Sequence, residues 1–191
     1  MSFSVGIGST IGNVNAPDTV SVGNYSLLRN LHLADKVKIW HFCNLYGCKI
    51  GANTTIGSYT QIGAESVVGE YCRIHDGVSI PSNTIIGNYV FIGAKVAFAN
   101  DCFPTVQKTL DRSYELQPVN VRDYVTIGMG AIISAGVTIG RNAFIGAGSI
   151  VIRDIPEYAV VVGNPARVIG DVREEKYRIH NISNGEHFTK P

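Results

Sequence analysis

The fold is decided by residues 50–98, which read IGANTTIGSYTQIGAESVVGEYCRIHDGVSIPSNTIIGNYVFIGAKVAF. Large apolar residues recur there with a period of six, and a second run in a single phase follows further along the chain. Such a short, fixed period indicates a stack of similar units, each of which buries little by itself. The members of the two runs are Ile50, Ile56, Ile62, Val68, Ile74, Ile80, Ile86, Ile92 and Phe98, then Val121, Ile127, Ile133, Ile139, Ile145 and Val151.

A small or β-branched residue stands four positions after each large one, and therefore two before the next. Residues two apart share one face of a strand, whereas a helix of 3.6 residues per turn does not keep a six-residue repeat on one side. Both positions should point inward, so each hexad predicts one short strand and one corner of an all-β parallel solenoid. These smaller residues are Thr54, Thr60, Ser66, Cys72, Val78, Thr84, Val90 and Val96, then Val125, Ala131, Val137, Ala143 and Ser149.

Glycine often directly follows the large residue, as Gly57, Gly93 and Gly146 do. Glycine is expected where a corner needs a permissive backbone or where two chain segments approach closely. His75 occupies this same slot, so its ring should project from a corner instead of filling the core.

Three segments depart from the repeat. Residues 1–36 contain irregular fragments and are expected to be an atypical capping segment before a solenoid of residues 37–170. Residues 99–118 are polar and lack apolar periodicity, which predicts a loop that leaves the solenoid. Residues 171–191 form a charged tail that is expected to include a short helix packed on the outside.

Composition narrows the class of partner. The formal net charge is +1 and there is no run of Lys or Arg, which argues against nucleic acid or an anionic membrane as partner. No uninterrupted apolar stretch is long enough to span a bilayer, and the first residues lack a signal-peptide pattern, so the sequence predicts a cytoplasmic protein.

The four cysteines show no paired spacing, which predicts reduced thiols and no metal site. Cys72 lies in the inward small-residue slot and is interpreted as core filling.

The hexads over about residues 37–170 resemble the hexapeptide-repeat acyltransferases. The resemblance implies three hexads per triangular coil, a left-handed parallel β-helix, and a homotrimer in which an extended loop reaches a neighbouring subunit. The left hand comes from the resemblance alone, because the usual rule for parallel crossovers favours the right hand.

Two stretches resemble the nucleotide-aminosugar N-acyltransferases more specifically, namely VFIGAKVAFANDCFP (residues 90–104) and WHF (residues 40–42). This implies a nucleotide-linked amino sugar as acceptor. IISAGVTIG (residues 132–140) and VVGNPARVIG (residues 161–170) resemble coils that line a coenzyme A groove, which implies acetyl-CoA or another acyl-CoA as co-substrate. The coenzyme-binding residues implied by this resemblance are Ser134, Ala135, Gly146, Ala147, Arg153 and Arg167.

Acyl transfer to an amine needs a deprotonated nitrogen and a donor to the developing oxyanion. Because Cys72 is interpreted as core filling, direct attack of the amine on the thioester is preferred over an acyl-enzyme route. His75, Asp76 and Asp101 are predicted as catalytic residues, and His41 and Asn100 as substrate-binding residues. Asp76 is placed to orient the His75 ring or to hold the substrate ammonium. The family often has Gln-Asn-Asn in this coil, so residues 75–77 depart from its pattern.

Two alternatives remain open from the residues. One alternative is a sugar hydroxyl as the acceptor group, which needs a strong base because a hydroxyl is far less acidic than an ammonium. The other alternative is a non-enzymatic or zinc-binding β-helix, but a zinc site needs about three convergent histidines and only His41 and His75 are predicted to lie in coils.

Overall fold

Short parallel strands wind into a three-sided β-solenoid in the computed structural model, which describes residues 3–178. Each coil contributes one strand to each of three faces, and each strand between the two ends of the stack pairs with its equivalents in the coils above and below. For example, Arg73 pairs with Thr55 on one side and with Phe91 on the other. The predicted all-β solenoid is confirmed.

The first face is a ten-stranded sheet that ends in an antiparallel hairpin. Its strands are Ser4–Val5, Ser21–Val22, Lys38–Ile39, Thr55–Ile56, Arg73–Ile74, Phe91–Ile92, Thr126–Ile127, Phe144–Ile145, Ala159–Gly163 and Ala166–Asp171.

The second and third faces form one 13-stranded sheet, because two long strands, Thr10–Asn15 and Leu27–Leu33, run continuously through the corner between them. The second face continues with Asn44–Tyr46, Gln61–Ile62, Ser79–Ile80, Ala97–Phe98, Ile132–Ile133 and Ile150–Val151. The third face continues with Lys49–Ile50, Val67–Val68, Ile85–Ile86, Asn120–Val121 and Thr138–Ile139.

The core runs along the inside of the prism and consists of the two repeated positions predicted from the sequence. Every member of both predicted sets is buried, with exposure from 0% at Ile56 to 6% at Phe98. Several of the smaller members are polar, and their hydroxyls join successive coils. Thr54 Oγ1 donates to the carbonyl of Gly69 at 2.9 Å and accepts from the Cys72 amide at 3.0 Å.

Glycine follows the large residues because successive coils approach each other closely there, which is one of the two reasons for glycine expected from the sequence. A Cβ added at Gly57 would lie 2.6 Å from the backbone nitrogen of Asp76 in the next coil. The left-handed backbone instead occurs two residues later, for example at Tyr59 with φ of 59° and Gly77 with φ of 69°. Each corner therefore has a tightly stacked first position, an outward second position and a left-handed third position.

Solenoid pairing begins well before residue 37, although residues 1–36 were predicted as a separate capping segment. Ser4 pairs with Ser21, and Ser21 pairs with Lys38, in parallel register. These partners lie 17 residues apart, whereas Arg73 and Phe91 are 18 apart. The first coils lack one residue at the corner that their long strands cross, so their buried residues do not follow a period of six.

The segment between Phe98 and Asn120 leaves the prism as predicted. It contains a helix, Val106–Asp111, in which the Thr105 hydroxyl accepts from the Lys108 amide and none of the residues is buried. Past the terminal hairpin, a second helix covers Glu175–Arg178, consistent with the short helix expected in the tail. The rest of the predicted tail, residues 179–191, lies outside the described residues. Neither helix within residues 3–178 has the length and apolar character that crossing a bilayer requires.

Candidate active site

Three predicted site residues meet in one cavity of about 530 Å³ on the outside of the prism. The cavity lies at the edge between the first and second faces, which we call the first edge. His41, His75 and Asp76 come from coils that are stacked along this edge, although His41 and His75 are 34 residues apart in sequence. The cavity is lined by Trp40, His41, Thr55, Gly57, Ser58, Arg73, Ile74, His75 and Asp76.

His75 projects from the first edge as the sequence predicted, and its side chain is exposed. Its ring packs against the outward-facing ring of Phe91, with centroids 4.9 Å apart and planes tilted by 53°. Its backbone carbonyl accepts from the buried hydroxyl of Thr60 at 3.1 Å. The ring is thus presented on a fixed backbone with one packed side and one side toward the cavity.

Asp76 makes a coil-to-coil hydrogen bond that the sequence did not predict. Its Oδ1 accepts from the amide of Ser58 at 2.7 Å. Asn88 and Asp123 bond in the same way to the amides of the coil below, at 2.8 Å each. Asp76 therefore stabilises coil stacking through one oxygen, and its second oxygen is the one with which it can meet a substrate.

His41 also joins two coils, since its Nδ1 accepts from the backbone amide of Asn24 at 2.8 Å. A nitrogen that accepts an N–H carries no proton, so the bond fixes the tautomer with hydrogen on Nε2. The imidazole edge faces the indole of Trp40, with centroids 6.0 Å apart and planes at 78°. His41 thus lines the cavity with a fixed ring orientation, and its Nε2–H is the group that can donate a hydrogen bond.

Asn100 and Asp101 do not reach this cavity. They lie at the second edge, between the second and third faces, where the loop begins. Asn100 Nδ2 donates to the carbonyl of Ser82 at 3.3 Å, and Asp101 Oδ1 accepts from the amide of Phe103 at 2.8 Å. Both side chains stabilise the start of the loop, and contact with substrate stays a prediction for them.

The predicted coenzyme residues divide between two edges of the prism. Gly146 and Ala147 lie on the first edge, in coils beyond His75, whereas Ser134 and Ala135 lie on the second edge. Arg153 follows on the second edge and lines a cavity of about 230 Å³ together with Arg167 of the terminal hairpin. The two arginines thus line one cavity, together with Asp154, and contact with coenzyme phosphates stays a prediction for them.

Trp40 and Arg73 line the cavity but were not predicted as site residues. A signal for Trp40 was present, because it occupies the same post-isoleucine slot as His75, where most coils have glycine. Arg73 gave no such signal. Its outward position on a strand is shared by many residues, and its Nη1 donates to the carbonyls of Asn53 and Cys72.

Cys72 is fully buried, in agreement with its predicted role in the core. Burial raises the pKa of its thiol to about 11, and the thiol donates to the carbonyl of Gly87. A neutral, buried thiol is a poor nucleophile.

Histidine placement in the coils differs from the prediction in one respect. His32 also lies in a coil, within the strand Leu27–Leu33 of the irregular first coils. Its ring is near the Asn15 side chain at 3.5 Å, well away from the cavity on the first edge. Within the described range, residues 3–178, no group of three or more His, Cys, Asp or Glu side chains is arranged to hold a metal ion.

Comparison with known proteins agrees with the repeat. A family model described as bacterial transferase hexapeptide (six repeats) matches residues 65–100 and 118–153. Over 59 residues the chain is 54% identical to a 2,3,4,5-tetrahydropyridine-2,6-dicarboxylate N-acetyltransferase of Brevibacillus brevis, which covers 31% of this chain and 25% of that protein. Over 64 residues it is 39% identical to a dTDP-3-amino-3,6-dideoxy-alpha-D-galactopyranose 3-N-acetyltransferase of Aneurinibacillus thermoaerophilus, covering 34% and 33%.

Among solved structures, PerB from Caulobacter crescentus in complex with CoA and GDP-perosamine superposes with a TM-score of 0.55. The identity is 26%, over 65% of this chain and 52% of PerB. The matches span only 25% and 33% of the two curated relatives. The hexapeptide-repeat resemblance predicted from the sequence is confirmed over the matched residues.

Proposed function

We propose that this protein is an acyl-CoA-dependent N-acyltransferase that transfers an acetyl or similar acyl group to the amine of a nucleotide-linked amino sugar. One observation carries the proposal, namely that His75 lies in a cavity with His41 and Asp76 on an edge that continues to Gly146 and Ala147. A base beside a binding cavity and a path for an acyl donor are what such a transfer needs. The relatives named as N-acetyltransferases and the CoA-bound PerB support this class of reaction.

The acyl donor has a path lined mainly by small residues along the first edge beyond His75. Seven of the nine corner positions in three successive coils are glycine or alanine, the exceptions being Lys95 and Met129. A Cβ added at Gly130 or Gly148 would meet nothing within 4 Å. With coils about 4.8 Å apart, this path extends about 14 Å along the prism. An extended pantetheine arm fits it. The corner residues concerned are Gly93, Ala94, Gly128, Gly130, Gly146, Ala147 and Gly148.

In the transfer itself, the nitrogen lone pair attacks the thioester carbonyl carbon. The ammonium of the acceptor first releases one proton to solvent, and His75 accepts the second proton as the tetrahedral intermediate forms. The intermediate then collapses and expels the coenzyme thiolate, which takes that proton from His75 to give the amide and free CoA. Asp76 holds the substrate ammonium before it is deprotonated, through the oxygen not bonded to Ser58. Direct attack is favoured over an acyl-enzyme because the Cys72 thiol is buried.

A homotrimer is part of the proposal. Gly146 and Ala147 lie on one edge of the prism while Ser134, Ala135 and Arg153 lie on another, so one groove includes both groups if the first edge of one subunit meets the second edge of the next. The loop supports this arrangement, because it exposes four large side chains that the subunit itself does not cover. They are Phe103 at 77%, Val106 at 77%, Leu110 at 73% and Tyr114 at 46% exposure.

An activity assay tests the function. The full chain is incubated with acetyl-CoA and either dTDP-3-amino-3,6-dideoxy-galactose or GDP-perosamine, and the product is detected by mass spectrometry. A mass increase of one acetyl group on the sugar, with release of free CoA, supports the proposal. Acetylation that persists when the amine is replaced by a hydroxyl indicates an O-acetyltransferase instead. Sedimentation of the same sample as a monomer contradicts the trimer.

A further inference from the structure

In the eight coils that precede the terminal hairpin, the first corner position on the first edge is glycine six times, at Gly6, Gly23, Gly57, Gly93, Gly128 and Gly146. The two exceptions are Trp40 and His75, and both line the same cavity. They stand two coils apart with Gly57 between them. Close stacking requires glycine at Gly57, because an added Cβ would lie 2.5 Å from Asp76 Oδ1. The cavity is therefore a slot with a ring side chain on each side and bare backbone as its floor.

The width of this slot suits one ring. Two coil spacings separate the backbones of Trp40 and His75 by about 9.6 Å. Allowing about half the contact distance between carbon atoms for each bounding ring leaves space of about 6 Å, which accommodates a single saturated or planar ring.

The indole of Trp40 has a fixed orientation on its side of the slot. His41 packs its edge against the indole, and the His41 ring is itself fixed by the hydrogen bond from the Asn24 amide. Trp40 is 53% exposed and lines the cavity, so apolar surface of its indole is available to a ligand in the slot. Fixed aromatic surface of this kind binds ligands at small cost in conformational entropy.

We propose that Trp40 is a specificity-determining residue that packs against the sugar ring bearing the acceptor amine. This inference rests on the proposed function, which assigns the coils beyond His75 to the acyl donor. Trp40 lies on the opposite side of His75, so the slot between them belongs to the acceptor. The apolar C–H face of a pyranose ring packs on the indole, and the amine on that ring lies within reach of His75 and Asp76.

Fluorescence reports on this slot directly, because Trp40 is the single tryptophan of the 191 residues. The intact protein is titrated separately with dTDP-3-amino-3,6-dideoxy-galactose, GDP-perosamine, the free nucleotides dTDP and GDP, and CoA. We expect a saturable change in emission with at least one amino sugar and none with the free nucleotides or CoA. An equal change with a free nucleotide shows that a base fills the slot, and no change with either amino sugar shows that the slot binds neither; both results overturn the proposal.

Kinetics separate this proposal from the proposed function. Trp40→Ala should raise the KM for the amino sugar about tenfold or more and leave the KM for acetyl-CoA unchanged, while Trp40→Phe should recover most of the loss. Tyr25→Ala is the matched control, since Tyr25 is an exposed aromatic residue on the same edge that does not line the cavity. If acetyl transfer occurs but neither amino sugar changes the Trp40 emission, the role of Trp40 is refuted and the proposed function stands. If an amino sugar changes the emission but no acetyl transfer occurs, the proposed function is refuted and binding at the slot stands.

Discussion

The first edge has two halves that share one backbone and differ in side chains. Below His75 the left-handed corner position carries Tyr25, Phe42 and Tyr59, whose rings stack with centroids 5.4 and 5.0 Å apart. Above His75 the same position is Lys95 in the first coil and glycine, Gly130 and Gly148, in the next two, with φ of 61°, 70° and 69°. Because left-handed backbone costs a residue other than glycine about 1–2 kcal/mol, the fold alone favours glycine in both halves.

Tyr25, Phe42 and Tyr59 adopt the left-handed backbone despite this cost, which indicates that the contacts of their rings compensate for it. Stacked aromatic pairs contribute about 0.5–1.5 kcal/mol each, which offsets the backbone strain. The glycines of the upper half leave that side of the edge open for a ligand. His75 stands where the two halves meet, and the predictions below test this division of the edge.

Removing the residue at the junction should have the largest effect. We expect His75→Ala to lower kcat/KM for the amino sugar at neutral pH by about 100-fold or more, because a positioned base contributes on that scale. The rate should recover as the pH rises, since more of the acceptor amine is then already deprotonated. A pH–rate profile measures both effects. His32→Ala, a change to a coil histidine outside the cavity, should leave the profile as it is.

Obstructing the upper half should weaken the acyl donor. Ala147→Tyr fills an exposed corner position where other coils carry larger side chains such as Met129, so the fold should tolerate it. We expect about a tenfold loss of acetyl-CoA affinity, equivalent to about 1.4 kcal/mol, by calorimetric titration. Glu70→Tyr makes the equivalent change on another edge and should leave the affinity unchanged. Equal losses in both variants would show that the upper half is not the donor path.

Two variants of Asp76 separate its contribution to coil stacking from its contribution to catalysis. Asp76→Asn retains an oxygen that accepts from the Ser58 amide, as Asn88 does naturally for Glu70. Stability to urea should therefore be kept while kcat/KM falls about tenfold through loss of the charge that holds the ammonium. Asp76→Ala should also reduce the free energy of unfolding by about 1 kcal/mol. Full activity in Asp76→Asn would limit Asp76 to a structural role.

The smallest effect is expected in the aromatic half. Phe42 stacks on two rings and Tyr59 on one. Urea denaturation should show a loss of about 1–2 kcal/mol for Phe42→Ala and about half of that for Tyr59→Ala. If both variants are as stable as the parent, stacking does not offset the strain, and the account of the lower half is wrong.

Most of the fold could be predicted from the sequence because burial in this prism repeats every six residues. Ile56, Thr60 and Ile62 follow this rule, and so do the other members of the two sets. The first coils could not be predicted in this way. Leu45, Cys48 and Ile50 are buried at spacings of three and two, since one corner there is a residue shorter.

Prediction of the site was more limited. His75 could be identified because it breaks the glycine rule in a corner, and Trp40 gave the same signal. The hydrogen bond from Ser58 to Asp76 could not be predicted, because it depends on which residues lie one coil apart and on side-chain rotamers. The separation of Asn100 and Asp101 from His75 likewise depends on which edge each coil position faces.

One measurement tests the central claim most directly, namely a crystal structure of the protein with an unreactive thioether analogue of acetyl-CoA. The account predicts that the pantetheine arm lies along Gly93, Gly128 and Gly146 and that the acetyl carbonyl reaches His75 within direct contact distance. An acetyl group bound at another edge, with His75 free of contact, would contradict it.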